Sequence, residues 1–448
     1  MKRTILRVVV FVILVTVLFG GTGFIGFIKE QQDYWTGVPS QPAPAFTDLH
    51  IPAHDPAKPT VAVVLGDPTT EVFDFVVPYE MFVMTGAYNV YAVAPTKERT
   101  TLSGGLDLLP HYTYAELDAL LGKSPDLLVV PNMTMPDQAK YQPVREWLQK
   151  HAETQILSIC GGAGNLADAG LLNGKTATIH WQAFSGVQRT YPEVNWVRGL
   201  RYVEDGNIVG SAGLTSGIDA VLYVIARDLG EPAAEKIAQA MNYPSYHFVN
   251  NPKVDPYYVD RTEMVYLLNI AFQWNETDTG VMLYEGMDDG ALASIFDTYS
   301  ASGTTQVYTI APEIKPVVTK YHLNLVPRYT LETAPELDRL FVSGAEAEEL
   351  ATTEVGLWAE AGKTTEPEYL HADSADRFIF DAPLEDLAKQ EDVLTAKYGA
   401  KRLEYRADDL QYKGLPFSLE SFGNALLTLL LAILVAVYVD RRFLAKKK

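Results

Sequence analysis

Cysteine is almost missing: this chain of 448 residues carries one, Cys160, so no disulfide can close within it, and no grouping of it with the eight histidines has zinc-ligand spacing. Positive charge is scarce too. Lysine and arginine number 36 against 56 aspartates and glutamates, and the formal charge of −20 repels phosphate backbones, which excludes nucleic acid as an expected partner. Neither a metal nor a cofactor is expected. Disorder is excluded by a composition that is 48% hydrophobic and only 21% charged. The length predicts two or three folded units.

Long apolar runs are present at both ends. Val8–Ile28 carries no charge and exceeds the roughly 20 residues that a helix needs to cross a bilayer; Phe422–Val439 is also uncharged and close to the lower limit. Lys2, Arg3 and Arg7 precede the first run, while Arg441, Arg442, Lys446, Lys447 and Lys448 follow the second. Basic flanks stay in the cytoplasm. The expectation is a two-pass membrane protein with an anchor at 1–30, a second transmembrane helix at 420–440, a basic cytoplasmic tail at 441–448 and its globular part outside the cytoplasm. A cleavable signal peptide is the alternative for the first run, but the run is long and no Ala-x-Ala site follows. Gly21–Gly26, "GTGFIG", satisfies the dinucleotide fingerprint, yet no βαβ unit surrounds it, so it reads as small residues inside a membrane helix.

Between the spans, 31–58 reads as a linker with Pro39, Pro42, Pro44, Pro52 and Pro56, a semi-rigid spacer that holds a domain off the membrane. From 59 to 250 short apolar runs such as "TVAVVLG" and "DLLVVPN" alternate with helical stretches, which predicts an α/β sandwich on a parallel sheet. A repeat then appears. "YNVYAVAP" has a counterpart in "TQVYTIAP" and "LDLLPHYT" in "LNLVPRYT"; Pro95 to Pro312 and Pro110 to Pro327 are the same 217 positions apart. A connector at 251–276 and a degenerate second copy at 277–415 follow, the latter with no cysteine and no glycine-rich turn after Gly344.

Cys160 ends the run "TQILSIC" and is followed by Gly161, Gly162, Ala163 and Gly164, a turn into a helix that only small residues tolerate. Such an elbow exposes the thiol, and the helix dipole behind it lowers the thiol pKa. The same pattern also fits an inert, buried small hydrophobe.

"SICGGAGNLADAGLLNGKTATIHW", together with "YVEDGNIVGSAGLTSGIDAVLYVIARDLG" and the opening "TTEVFDFVVPYEMF", resembles the ThiJ/PfpI superfamily, in the branch found as the ligand domain of AraC-type regulators and as isonitrile hydratases. The resemblance covers about Pro59 to Tyr243. It implies a flavodoxin-like sandwich of the class I glutamine-amidotransferase type, with Cys160 as the elbow cysteine and Glu80 as the carboxylate approaching its sulfur. Asp74 matches an aspartate implicated in the hydratases, though it also suits a helix cap. His180 matches a histidine near the elbow and fits a hydrogen-bonded core residue equally well. The backbone N–H groups of Gly161 and Asn132 would hold developing negative charge. The chain departs from the family at Gly161, where the peptidase-like branch has histidine and the hydratases threonine, and at Pro131-Asn132-Met133, which replaces Pro-Gly-Gly.

Two functions follow. Cys160 attacks a small electrophile in a hydrolase, hydratase or lyase reaction, with Glu80 moving the proton. Alternatively, the same pocket binds a ligand or senses oxidants without catalysis. A scaffold with a vestigial pocket is a third reading. The partners expected are a small molecule, the lipid bilayer and a second copy, either as a homodimer or as an intrachain pseudo-dimer.

Overall fold

In the computed structural model, which describes residues 2–39, 46–372, 376–407 and 409–445, the first helix, α1 (Lys2–Thr36), runs past the expected boundary at residue 30. The first half then comprises β1 (Thr60–Val64), α2 (Val72–Met84), β2 (Asn89–Ala94), β3 (Asp107–Leu109), β4 (Tyr112–Thr113), β5 (Leu127–Val130), β6 (Gln155–Ser158), α3 (Gly162–Asp168), β7 (Tyr202–Asp205), β8 (Ile208–Ser211) and α4 (Leu214–Leu229). Its main sheet has the order β7–β8–β6–β5–β1–β2–β4. Every pairing is parallel except β7 with β8. The strands are apolar throughout because both faces are covered. Val61 and Val63 point into the core shared with α2 and α4, while Ala62 and Val64 point into the core on the side of α3.

Residues expected to be a plain connector instead form α5 (Arg261–Phe272), capped by Asp260 and Glu263. The second half follows: β9 (Thr277–Met282), α6 (Asp289–Tyr299), β10 (Thr305–Ala311), β11 (Asn324–Val326), β12 (Tyr329–Thr330), β13 (Arg339–Phe341), β14 (Pro367–Glu368) and α7 (Val393–Arg402). Its parallel sheet runs β12–β10–β9–β13–β14, the succession that β4–β2–β1–β5–β6 follows in the first half. The halves share a core and a small sheet in which β3 pairs antiparallel with β11. That pairing is centred on Leu108 opposite Leu325, residues separated by the repeat distance, 325 − 108 = 217.

The last helix, α8 (Leu419–Val439), lies antiparallel to α1, since Arg7 near the start of α1 makes a two-pronged ion pair with Asp440 just beyond α8. Both helices are long and apolar enough to span a membrane. Along α8 the small residues Ser421, Ala425, Thr428, Ala432 and Ala436 form the buried face. At the other end of the pair α5 docks. Gly26 is required there, because a side chain on it would overlap the carbonyl of Ala271, and Asn424 Nδ2 donates to the Phe272 carbonyl at 2.9 Å.

The linker is not a spacer. Val38 is buried, the backbone of His50 exchanges two 2.9 Å hydrogen bonds with the Asn324 side chain, and the Asp55 N–H donates to Asn89 Oδ1. The asparagine amides satisfy backbone groups of His50 and Asp55, so residues 46–58 lie against the protein. Pro42, Pro44 and Lys446, Lys447 and Lys448 fall outside the described residues.

Arg328 ties three parts together: it donates to the Thr36 and Val38 carbonyls after α1 and pairs with buried Asp107 of β3 at 2.8 Å. Replacing one partner of a buried pair costs about 3–5 kcal/mol. Arg328→Met is therefore expected to lower the unfolding free energy by about that amount. Denaturant unfolding of the detergent-solubilised chain measures it, and a loss below about 1 kcal/mol would show that the anchor is unimportant.

Candidate functional site

The expected elbow is present. Beyond β6, Cys160 adopts φ +55°, the left-handed region that a non-glycine residue occupies only at a cost. Gly161 and Gly162 follow because a Cβ on either would overlap the Asn132 side-chain oxygen or the Val130 carbonyl. The Cys160 N–H donates to Ser211 Oγ at 3.3 Å. The elbow therefore sits where a parallel sheet places its chemistry, beyond the carboxyl ends of β5 and β6.

The surroundings of the sulfur differ from expectation. Cys160 is 6% exposed and stands among buried core side chains. Burial pushes its thiol pKa well up, and the nearby carboxyl groups of Asp74, Glu71 and Glu404 push it further; only the Gly161 N–H, which donates to the sulfur, opposes them. The expected lowering by a helix dipole is thus overturned, since the helix behind the elbow, α3, is only 7 residues long and three acids face it. Asp74 is fully buried; its Oδ2 accepts from the Asn132 N–H at 3.4 Å and its Oδ1 has no hydrogen-bond partner. Burial first, then Glu71 and Asp297, raise its pKa well above the ordinary carboxylate value, which favours the protonated form. The helix cap is Glu71, whose Oε2 accepts the Asp74 N–H at 2.8 Å.

The second half closes the elbow. Arg402, at the end of α7, donates to Asp297 Oδ1 at 2.9 Å, to the Tyr34 hydroxyl at 2.5 Å and to Glu71 Oε1 at 3.3 Å. Two residues on, Glu404 takes a left-handed turn at φ +52° and its Oε2 accepts from the Gly213 N–H at 3.0 Å and from Ser216 Oγ at 2.6 Å. A carboxylate is thereby seated on the N-terminus of α4, where helix amides favour it. Arg201, paired with Asp219 in the interior, donates to the Glu404 carbonyl at 2.9 Å. Residues 402–404 are sewn onto the first half.

Three expected roles therefore change. Glu80 follows Asp74 by six residues, about 240° around a helix at about 100° per residue, and so it faces the second half instead of the sulfur. A Cβ on Gly290 would lie 2.6 Å from Glu80 Oε2, and burial followed by Asp288 and Asp289 raises the Glu80 pKa well up. His180 donates Nε2 to the Arg402 carbonyl at 2.9 Å, and burial lowers its pKa, so it is a neutral, hydrogen-bonded core residue. The Asn132 N–H is directed at Asp74 and the Gly161 N–H at its own sulfur, so the two amides do not converge on an open position.

Glu71, Asp297, Arg402, Glu404 and Tyr34 were missed. The repeat could have found one of them, because 80 + 217 = 297 and 71 + 217 = 288 pair Glu80 and Glu71 with acids at the matching positions of α6, although Asp74 falls opposite Ala291. Arg402 and Tyr34 carry no local signal. Elsewhere, Glu30, Asp33 and Glu276 come together, with Lys29 Nζ 2.8 Å from both Asp33 and Glu276.

Arg402→Met leaves Glu71 and Asp297 buried without their cation, at an expected cost of about 3–5 kcal/mol. Adding Asp297→Asn is expected to recover at least a third of the loss in thermal or denaturant unfolding; no recovery would mean that the guanidinium contributes by packing alone.

A family model described as DJ-1/PfpI matches residues 59–227. The HTH-type transcriptional regulator CdhR of Pseudomonas aeruginosa is 34% identical over 119 residues, 26% of this chain and 35% of the regulator, so the chain spans the smaller part of that protein. The isonitrile hydratase of Pseudomonas putida is 29% identical over 181 residues, 39% of this chain and 75% of the enzyme. Among solved structures, a mutant of a DJ-1 superfamily protein from Salmonella typhimurium aligns at 23% identity with a TM-score of 0.37, covering 42% of this chain and 99% of that one. Residues 59–227 are thus a DJ-1/PfpI family domain within a longer chain.

Proposed function

We propose that this protein is a membrane-anchored ligand-binding module, built from a DJ-1/PfpI domain and a tandem copy of it, in which Cys160 is not a nucleophile at rest. The observation that carries the reading is the enclosure of the Cys160 sulfur among three acids beneath residues 402–404. A Cys-dependent hydrolase, hydratase or lyase needs a thiolate, converging amide donors and a path for substrate. Here burial and neighbouring carboxyl groups disfavour the thiolate, the amides are otherwise engaged, and the path is filled. Oxidation also proceeds through the thiolate, so redox sensing loses the same support. The likeness to a transcriptional regulator is compatible with ligand binding, although nothing in that likeness assigns DNA to this chain.

The tandem-copy reading rests on the repeated strand succession and on the pairing of β3 with β11 about equivalent leucines. Within one chain it would supply the contact that a second subunit would otherwise make. The antiparallel α1–α8 pair brings both chain ends to one side, and Arg7, Arg441 and Arg442 at that end favour the cytoplasm for them, with the α/β halves outside.

Because Cys160 is the sole cysteine, thiol labelling reports on this site alone. With an uncharged disulfide reagent, the folded chain in detergent is expected to label at least tenfold more slowly at pH 7 than the denatured chain. Its rate should rise only above the ordinary cysteine pKa of about 8.5. Titration below pH 8, or turnover of a glyoxal, amide or isonitrile that Cys160→Ser abolishes, would return the protein to the enzymes.

A further inference from the structure

The two halves exchange acids across the α2–α6 seam. Glu71 caps α2 and lies against Asp297 of α6, while Asp288 caps α6 and lies near Glu80 of α2. The strand registers extend this equivalence to the elbow. Val129 of β5 stands beside Leu157 and Phe341 of β13 beside Glu368; three residues past Leu157 is Cys160, and three past Glu368 is His371. His371 thus occupies the place of the elbow cysteine in the second half. It is satisfied there, with Nε2 3.1 Å from the Ile379 carbonyl and Nδ1 accepting from the Gly344 N–H at 3.4 Å, so it is neither a free base nor a nucleophile.

The two elbows differ in one respect that bears on binding. At the first, Arg402 and Tyr34 fill the space over the acids. At the second there is a cavity of about 240 Å³, bordered by Glu80, Lys320 and Arg377 with the apolar side chains of Met84, Met241 and Ile379. Glu80 is only 5% exposed; its Oε2 makes no well-formed hydrogen bond, and the Gly290 backbone is the group that lies against its carboxyl. Lys320 approaches Glu346 at 3.9 Å and lies 5.8 Å from the centre of the Tyr321 ring, while Arg377 leans on Asp381 and Glu385. Asp288, also at the border, is engaged by the Ala291 N–H at 2.8 Å. Burial, with Asp288 and Asp289 nearby, raises the Glu80 pKa and so favours its protonated, hydrogen-bond-donating form. Lys320 and Arg377 thus bring two cations to the border of this cavity, in a chain whose overall charge is −20.

We propose that this second-half cavity binds a small organic monocarboxylate, its carboxylate held by Lys320, Arg377 and the Glu80 carboxyl and its short apolar tail set against Met84, Met241 and Ile379. The volume lies below the roughly 300 Å³ at which drug-sized pockets begin, which limits the ligand to a few carbons. The site deepens the ligand-binding reading by naming its place and chemistry, and it does not depend on the state of Cys160.

Isothermal titration calorimetry of the full chain in detergent, with butyrate, butyramide and butylamine as probes, tests it. Butyrate is expected to bind and the neutral and cationic analogues to bind at least tenfold more weakly. Lys320→Met and Arg377→Met are each expected to weaken butyrate at least tenfold; Lys320 is 44% exposed on its side chain, so that variant should melt as the parent does. Glu80→Gln, which keeps a neutral donor, should stay within about threefold of the parent, the scale of one modest hydrogen bond. Lys315→Met, an exposed lysine near Glu313, is the control and should bind normally. Absence of butyrate binding, equal binding of the amide, or indifference to Lys320→Met overturns the site and leaves the thiol-labelling result standing on its own.

Discussion

One buried guanidinium holds the centre of the molecule. Helices α2 and α6 lie against each other where the two halves meet, and each brings acids to the seam: Glu71 and Asp74 from one, Asp288, Asp289 and Asp297 from the other. Carboxylates gathered in a low-dielectric interior must be protonated, hydrogen-bonded or paired with a cation. Arg402 supplies the cation at the Cys160 end, contacting Glu71 and Asp297 together and drawing in the Tyr34 hydroxyl. That contact fixes where α7 ends and where residues 403 and 404 must go. It is also what closes the elbow, so electrostatic satisfaction of the seam and loss of access to the sulfur are one event.

The strained cysteine persists beneath this closure. A positive φ at Cys160 and glycines that admit no side chain are the features of a turn that presents a nucleophile. Presentation alone does not make a thiolate. Charge around the sulfur decides ionisation, and here the nearby side chains are acids while the one guanidinium in reach is spent on Glu71 and Asp297. Geometry and electrostatics are therefore separable in this fold, and this chain keeps the first without the second. Its pseudo-equivalent elbow shows the reverse combination: the reactive atom has been replaced by a satisfied histidine, yet cations and a buried acid remain around an open space.

Much of the architecture was legible in the sequence because burial on both faces of a parallel sheet imposes continuous apolar runs, and Thr60–Val64 and Leu127–Val130 read as strands for that reason. The elbow was legible through its glycines. The repeat was visible in "LDLLPHYT" and "LNLVPRYT", whose Leu108 and Leu325 pair directly. Roles within the site were less legible, since a motif places a residue on an element without stating which way that element's faces point. Asp74 and Glu80 share α2 but look in different directions, and only the packing of α6 reveals which acid meets the sulfur. Tyr34 and Arg402 stand 368 positions apart in sequence and meet only in the fold. Helix α5 escaped notice because its buried face is shared by α1, α7 and α8, leaving no clean amphipathic period.

The same packing decides what the two apolar helices are to the rest of the protein. A leash would end in solvent, whereas α1 ends inside the site. Its Tyr34 hydroxyl sits between Arg402 and Glu71, the Trp35 carbonyl accepts from Thr69 Oγ1 at 2.7 Å, and Arg328 grips the carbonyls of Thr36 and Val38. At the base of the pair, Ser421 of α8 donates to Asn269 of α5, which in turn donates to Thr395 of α7, the helix that delivers Arg402. Two chains of contacts thus run from the apolar helices to the same guanidinium. Cutting the chain before residue 59 would remove Tyr34 and leave Arg328 without two of its acceptors, so the α/β halves and the helical pair form one cooperative unit.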